Sequence, residues 1–509
     1  MDSNASTARI RPNAGAPEPS LDALEKNPSQ LEKGQGNGTT DDAEKPNTDP
    51  NQLTKTRRFK EFHRRVRGKH VEHVPTLKES LIATTFVTKI NLALIFVVLS
   101  WVSHYLHWDS RATFVLSFLA LIPLEKLLQF CSKQSMLYLG HSIGDLVNVT
   151  LMNAVEAILA ILLLKRDCKL KLLQGTIIGV IILQLLLVPG VAFVAGGSRR
   201  MQQELHASHT QLNQSMMTMG VMCLVIPSAF FAGITPIGAT SPEQVVTDEV
   251  RSTILKFSRG MAIIMLLVYI ASRIYAINPP GDENAGDFYA DHGGHEAFKE
   301  EEDRLKKEQP KVSPWFCFGL LVFLVVIIGF TAEWLVHSIE SVREGANIQE
   351  EWFGLILIPI VSFSGDGLVT FTYLVRKTIF HNGEAPHALA DAQPIDLAIQ
   401  FTLFWTPLFV LIGWWIGKPL PLLFDIFEVV ILLAAVFVVN YIVNDAKTNW
   451  SEGFTMICLY IVIALVAWFY DGQAFFETFF GCVGHVVHAA VTGEAGNSTT
   501  TAGSSGGGH

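Results

Sequence analysis

Cysteine is scarce in this chain: six residues (Cys131, Cys168, Cys223, Cys317, Cys458 and Cys482) are scattered through 509 without the spacing of a metal site. That excludes a disulfide framework or a zinc module as the organising device and leaves them as small apolar helix or loop residues. Charge is also sparse, at 17% of residues against 49% hydrophobic, and the formal balance of −9 decides little because most of the charge lies in the tails and loops. The single basic cluster is small and directly precedes an apolar run, so a nucleic-acid partner is not expected. The N-terminus has no apolar core of a signal peptide, and no cleaved leader is expected. The acidic stretch from 278 to 312 lacks the fixed spacing and central glycine of an EF-hand loop, although it holds Asp282, Glu283, Asp287, Asp291, His292 and His295.

What the chain has instead is long apolar runs. Its composition and positive mean hydropathy are those of an all-α polytopic membrane protein. Runs near the bilayer-spanning length of about 20 residues fall at 85–104, 113–130, 143–164, 172–195, 215–233, 253–276, 314–338, 352–375, 396–416, 423–443 and 454–470. This predicts about eleven transmembrane helices.

The polar segments set the expected organisation. Residues 1–82 form a polar N-terminal tail expected to be disordered, closing on the basic run Lys55, Arg57, Arg58, Lys60, Arg64, Arg65, Arg67 and Lys69. Basic residues before a first span place that end in the cytosol and could touch anionic lipid headgroups. Lys165, Arg166, Lys169 and Lys171 oppose this topology, whereas Arg199, Arg200, Arg376, Lys377 and Lys447 agree with it. Residues 83–277 make a first span and a first set of five helices. An acidic, helix-prone cytosolic linker occupies 278–312, a second set of five covers 313–471, and a tail follows at 472–509. That tail is Gly, Ser and Thr rich from Thr492, carries the sequon Asn497-Ser498-Thr499, and is expected on the lumenal side. Because five is odd, the two sets cross the membrane in opposite senses, the inverted-repeat plan of secondary transporters.

The run at 143–164 carries Asp145, Asn148, Asn153 and Glu156 inside an apolar span. Ionisable groups there are costly and mark ion or proton paths. Asn153 and Glu156, three apart, are expected on one face of a helix, and their hard oxygens suit a cation such as Ca²⁺. In the second set the matching span, GLILIPIVSFSGDGLVTFTYLV, is interrupted by Pro359, Gly365 and Gly367 and carries Ser362, Ser364 and Asp366. Such a break frees backbone carbonyls that protein, water or an ion must satisfy. The site is therefore expected between these two helices, with Glu156 and Asp366 as paired carboxylates for which cation and protons compete. Glu125, Glu333, Glu340, Asp396 and Glu428 are secondary candidates for proton entry or gating, and His337 is expected to be a packed helix residue.

These residues resemble the calcium/proton exchanger (CAX) family of the cation/Ca²⁺ exchanger superfamily. LVNVTLMNAVEAI is similar to the family's first signature, a Gly-Asn-x-x-Glu helix preceded by Leu-x-Asn-x-Thr, with Asn153 and Glu156 at its Asn and Glu. FGLILIPIV leads into the place of the second, Gly-Asn-x-x-Glu-His. IPLEKLL, FSRGMAIIMLLVY, AEWLVHSIE, IQFTLFWTPLFVLIGWWIGKPL and FEVVILLAAVFVVNYIVNDAKTNWSEG follow the family in order over about residues 83 to 471. The resemblance implies a vacuolar-type exchanger of Ca²⁺ for protons, with Ca²⁺ as the transported ion, no cofactor and no enzymatic activity. It makes Gln184, where the family commonly has Asn, and Gln400, which matches a family Gln, candidate amide ligands on the following helix of each half. Two departures stand out. Met152 replaces the first signature's Gly, and the second reads Ser362-Phe363-Ser364-Gly365-Asp366-Gly367, with Phe363 for Asn, Asp366 for Glu and Gly367 for His. An exchanger with altered ion choice, or one that has lost transport and serves a regulatory or scaffolding role, is the alternative these changes leave open.

Overall fold

A computed structural model describes residues 75–86, 89–139, 141–166, 169–197, 203–204, 207–234, 248–277, 309–346, 348–361, 363–364, 367, 393–445, 447–472 and 479. The tails apart from 75–82, 472 and 479, the basic run, nearly all of the acidic linker, Cys168, Cys482, Ser362 and Asp366 lie outside them; the expected disorder of 1–82 does not extend to 77–82, which open a helix. The described part is helical apart from one short strand pair, and belongs to the unit Arg58–His509.

A short helix α1 (Leu77–Phe86) precedes α2 (Ile95–Tyr105). The first five-helix set is α3 (Ser110–Leu139), the pair α4 (His141–Met152) and α5 (Ala154–Lys165), then α6 (Leu170–Ile182) continuing through a π-helical turn, Leu183–Leu187, into α7 (Val188–Gly197), then α8 (Ala207–Ile234) and α9 (Asp248–Ile277). In the second set α10 (Pro314–Ala346) is followed by α11 (Glu350–Trp352), which enters a π-helical turn at Phe353–Leu357 and continues to Val361. Next come α12 (Gln393–Gln400), a third π-helical turn at Phe401–Trp405, α13 (Thr406–Trp415), α14 (Ile426–Ile442) and α15 (Trp450–Trp468). Seven helices among the described residues are long and apolar enough to span a bilayer, and α4 with α5 makes an eighth, bent span. Two shorter apolar helices, Asn91–Tyr105 and Ile426–Ile442, stand at the first and tenth expected runs. The run at 352–375 is described mainly as far as Val361, so the count of eleven reaches beyond the described residues.

The helix ends form two groups. At one, Arg111 Nη2 donates to the Gly345 carbonyl at 3.4 Å, Lys169 pairs with Glu340 at 2.9 Å, Lys171 pairs with Glu351, and Gln174 Nε2 donates to the Pro421 carbonyl at 3.0 Å. At the other, Tyr138 Oη donates to the Val312 carbonyl at 2.6 Å, the Lys311 N–H donates to Gln134 Oε1 at 2.7 Å, and β1 (Gln203–Glu204) pairs with β2 (Lys447–Thr448). The first set thus starts at the end where α10 finishes, and the second starts at the end where α3 finishes, so the two sets run in opposite senses. Their packing is reciprocal: α3 lies on α10 and α8 on α14, while α7 packs on α15 as α9 packs on α13. Lys169 and Lys171, two of the four cations that oppose the expected topology, pair with Glu340 and Glu351 at their own end. At that end burial pushes the Glu351 carboxyl above the usual carboxylate range, against the pull of Lys171.

Close approach between the sets depends on small residues. A Cβ on Gly190 would meet the Gly453 carbonyl oxygen at 2.9 Å, and one on Gly453 would meet that of Gly190 at 2.7 Å. Membrane helices gain their contact by such backbone proximity, because lipid tails are as apolar as Leu. The outward faces are apolar instead: Phe318, Val322 and Phe323 on α10, Leu267 and Ile274 on α9, and Ile461 and Leu465 on α15 are all exposed. Exposed Trp108, Trp315, Trp415, Trp450 and Trp468 sit at helix ends, where interfacial aromatic belts are found. Such a surface in water would be an aggregation site; in a bilayer it is the lipid contact.

Candidate functional site

The third expected span is not one straight helix. It breaks at Asn153, which takes a non-helical conformation (φ −94°, ψ 9°) between α4 and α5, and the two pieces bend by 54°. This corrects the expectation of Asn153 and Glu156 on one helix face. Asn153 precedes α5 as its N-terminal flanking residue, and Glu156 lies in the first turn of α5, at the positive end of its dipole, where a carboxylate is stabilised.

Freed from the helix, the Asn153 amide ties the two sets together. It is fully buried; its Oδ1 accepts from Gln184 Nε2 at 2.8 Å, and its Nδ2 donates to Gln400 Oε1 at 2.9 Å and to the Leu397 carbonyl at 3.2 Å. Gln400 Nε2 donates in turn to Thr150 Oγ1 at 2.9 Å. Gln184 lies in the π-helical turn of the first set and Gln400 directly precedes that of the second. A π-turn inserts a residue and re-aims side chains, and such turns recur at functional sites. The Gln184 Oε1 is buried with no hydrogen-bond partner among the described residues, and Glu156 is 7% exposed. The arrangement therefore offers a carboxylate and an open amide oxygen beside a kinked backbone, a donor set for a hard cation. No group of three His, Cys, Asp or Glu side chains among the described residues is placed to hold a metal.

The structure thus brings together Asn153, Gln184 and Gln400, with Glu156 in the adjoining turn. Asp366 and Ser362 lie outside the described residues, and the Asp145 side chain does also. Ser364 donates to the carbonyl of Val361, three residues back. Asn148 is held by Ser132, whose Oγ donates to its Oδ1 at 2.8 Å. Of the secondary candidates, Glu428 closes a capping box with Asp425 at the start of α14 and Glu340 pairs with Lys169. Asp396 Oδ1 accepts from Asn213 at 2.7 Å, joining α12 to α8. Glu333 and His337 are exposed on α10, so the expected packed position of His337 is not found; its ring lies 6.4 Å from that of His104. Glu125 is buried in α3. Cys131, Cys223, Cys317 and Cys458 are free thiols. Sequence reasoning passed over Thr150 as a partner of Gln400, although it is the Thr of Leu-x-Asn-x-Thr, and it missed the break at Asn153, for which there is no Gly or Pro signal.

Gln400→Leu removes both bonds of that amide and leaves the buried Asn153 Nδ2 with one acceptor fewer. The expected cost is about 1–3 kcal/mol, read as a lower thermal midpoint of the purified protein in detergent, whereas an unchanged midpoint would contradict the network.

The fold and site define a polytopic helical membrane protein of two inverted, related halves whose buried amides meet at Asn153, between them. The family model described as sodium/calcium exchanger protein matches residues 109–278 and 316–469. The chain is 30% identical over 410 residues to the vacuolar calcium ion transporter of Schizosaccharomyces pombe, covering 79% of this chain and 92% of that one. It is 29% identical to the Ca²⁺/H⁺ antiporter of Aphanothece halophytica, covering 74% and 95%. The solved structure of native YfkE has the same fold, with a TM-score of 0.56 at 22% identity over 74% of this chain and 99% of that one. The chain belongs to the sodium/calcium exchanger protein family, and its resemblance to calcium/proton exchangers is borne out.

Proposed function

We propose that this chain is a secondary active transporter that exchanges Ca²⁺, or another divalent cation, for protons across the vacuolar membrane. The observation that carries the reading is the junction at Asn153: one buried amide engages the third helix of both halves while Glu156 and an open Gln184 oxygen stand beside it. Ca²⁺ takes about six to eight oxygens. Glu156 and Gln184 supply part of that number, and Asp366 from the second half, with backbone carbonyls and water, supplies the rest. Cation and protons compete for the two carboxylates, so a proton gradient directed out of an acidic lumen moves the cation into it. The N-terminal tail (1–82) and linker (278–312) face the cytosol, and the halves are 83–277 and 313–471.

A second reading, altered ion choice, rests on Phe363, whose partly buried ring packs against the core where the family signature has an amide. Both readings are tested by ⁴⁵Ca²⁺ uptake into sealed vesicles holding an acid interior, with and without Mn²⁺. Gradient-dependent ⁴⁵Ca²⁺ uptake supports the first. Uptake of Mn²⁺ in its place supports the second, and no flux of either by a folded protein contradicts both.

A further inference from the structure

The exchange site leaves Glu125 unused, yet its surroundings are unlike those of the other secondary candidates. It lies mid-way along α3, is 4% exposed, and follows closely on Pro123 within the helix. Its Oε1 accepts from Gln129 Nε2 at 2.9 Å, while its Oε2 is buried with no hydrogen-bond partner among the described residues. A buried carboxylate oxygen left open is costly unless it holds a proton or meets a cation. Packing alone would be served by an aliphatic residue of the same size.

Its depth is fixed by an independent contact. Ser132 on α3 bonds Asn148 on α4, and α3 ends at Leu139 where α4 begins at His141, so the two run antiparallel. About two helical turns back along α3 from Ser132 stands Glu125, and about two turns on from Asn148 stands Glu156. Although the second path crosses the 54° bend at Asn153, the two carboxyl groups stand at about the same level in the bundle, within electrostatic reach of one another. The other charged group acting on Glu125 is Lys126, whose Nζ donates to Gln129 Oε1 at 2.9 Å. Gln129 thus bridges the acid and the base on one turn of α3.

We propose that Glu125 is a proton-carrying residue of the exchange, holding a hydrogen ion while Glu156 is bare and giving it up when a divalent cation occupies the Glu156 site. The inference rests on the exchange reading above. Two carboxylates at one depth in a low-dielectric interior resist being ionised together, and a divalent cation at Glu156 removes that resistance. The cation and this proton are coupled through space, without sharing oxygens. Lys126 keeps the pocket from carrying an uncompensated negative charge after the proton leaves.

The test uses the full chain in sealed liposomes and two assays. Net ⁴⁵Ca²⁺ uptake driven by an acid interior needs the proton leg of the cycle, whereas exchange of ⁴⁵Ca²⁺ for unlabelled Ca²⁺ at equal pH needs cation binding and alternation alone. Glu125→Gln is expected to hold isotope exchange within about twofold while net uptake falls about tenfold or more and its pH dependence becomes shallower, since a neutral amide cannot carry the proton and only the Glu156 site still titrates. Glu125→Asp is expected to restore net uptake with a displaced pH profile. Equal loss of both activities in a folded Glu125→Gln protein overturns the proposal, and so does no loss in either. Should Glu125→Gln not fold, Glu125→Asp decides: a displaced profile supports the proposal and an unchanged one overturns it. A wild-type chain that performs neither assay overturns the exchange reading itself, an outcome distinct from the failure of Glu125 alone.

Discussion

Glu156→Gln is expected to reduce proton-driven ⁴⁵Ca²⁺ uptake about a hundredfold or more, because the substitution keeps the shape of the side chain and removes the charge that a hard cation requires. The side chain is buried in the first turn of α5, next to the Asn153 junction. A glutamine there also cannot take up a proton, so both legs of the exchange stop together, in contrast to the split expected at Glu125. Folding is expected to survive, since a neutral amide costs less to bury than a carboxylate. The check is uptake measured on protein that elutes as a single species and melts near the wild-type temperature. Retained uptake by Glu156→Gln would remove this residue from the path.

Gly179→Val is expected to prevent the two halves from docking. A Cβ at Gly179 would stand against the Leu355 carbonyl, 2.7 Å from its carbon and 2.7 Å from Pro359 Cγ. These are a backbone group and a ring, neither of which swings aside as a long side chain would. Overpacking of this kind costs about 3 kcal/mol or more, and here the strain falls between α6 and the π-helical turn of the second half. Gly260 and Gly319, where a Cβ meets nothing within 4 Å, serve as the comparison. Gly→Ala at those positions is expected to be neutral or stabilising by up to about 1 kcal/mol through helix propensity. Monodispersity after extraction and thermal midpoint separate the cases; a folded Gly179→Val protein with a wild-type midpoint would contradict the packing.

Both predictions depend on features that the sequence shows unevenly. Apolar length revealed the spans, since a run such as 172–195 has no alternative to a buried or lipid-facing helix. It understated several ends: α3 runs from Ser110 to Leu139 and α10 to Ala346, because polar residues in the last turns find partners at the bundle ends and lower the local hydropathy without ending the helix. Inversion of the halves was legible from their odd helix number, and Gln184 and Gln400 from their matching places. The kink at Asn153 was not, because VNVTLMNAVEAI holds no Gly or Pro and reads as helix throughout. What breaks it is tertiary: Gln184, Gln400 and the Leu397 carbonyl together engage the Asn153 amide more fully than a helix surface would. The π-helical turns were invisible for a related reason, as LQLLL and FTLFW carry no local signal of an inserted residue. Polarity alone also overstated Glu340 and Glu428, whose carboxylates serve an ion pair and a helix cap.

Anomalous scattering from crystals of the full chain grown with Mn²⁺ in place of Ca²⁺ tests the central claim most directly. One strong peak is expected between the halves, about 2.1–2.6 Å from a Glu156 oxygen and bordered by Gln184 and Asp366. A peak only at the bundle ends, or a Glu156 carboxylate turned away from the metal, would contradict the account.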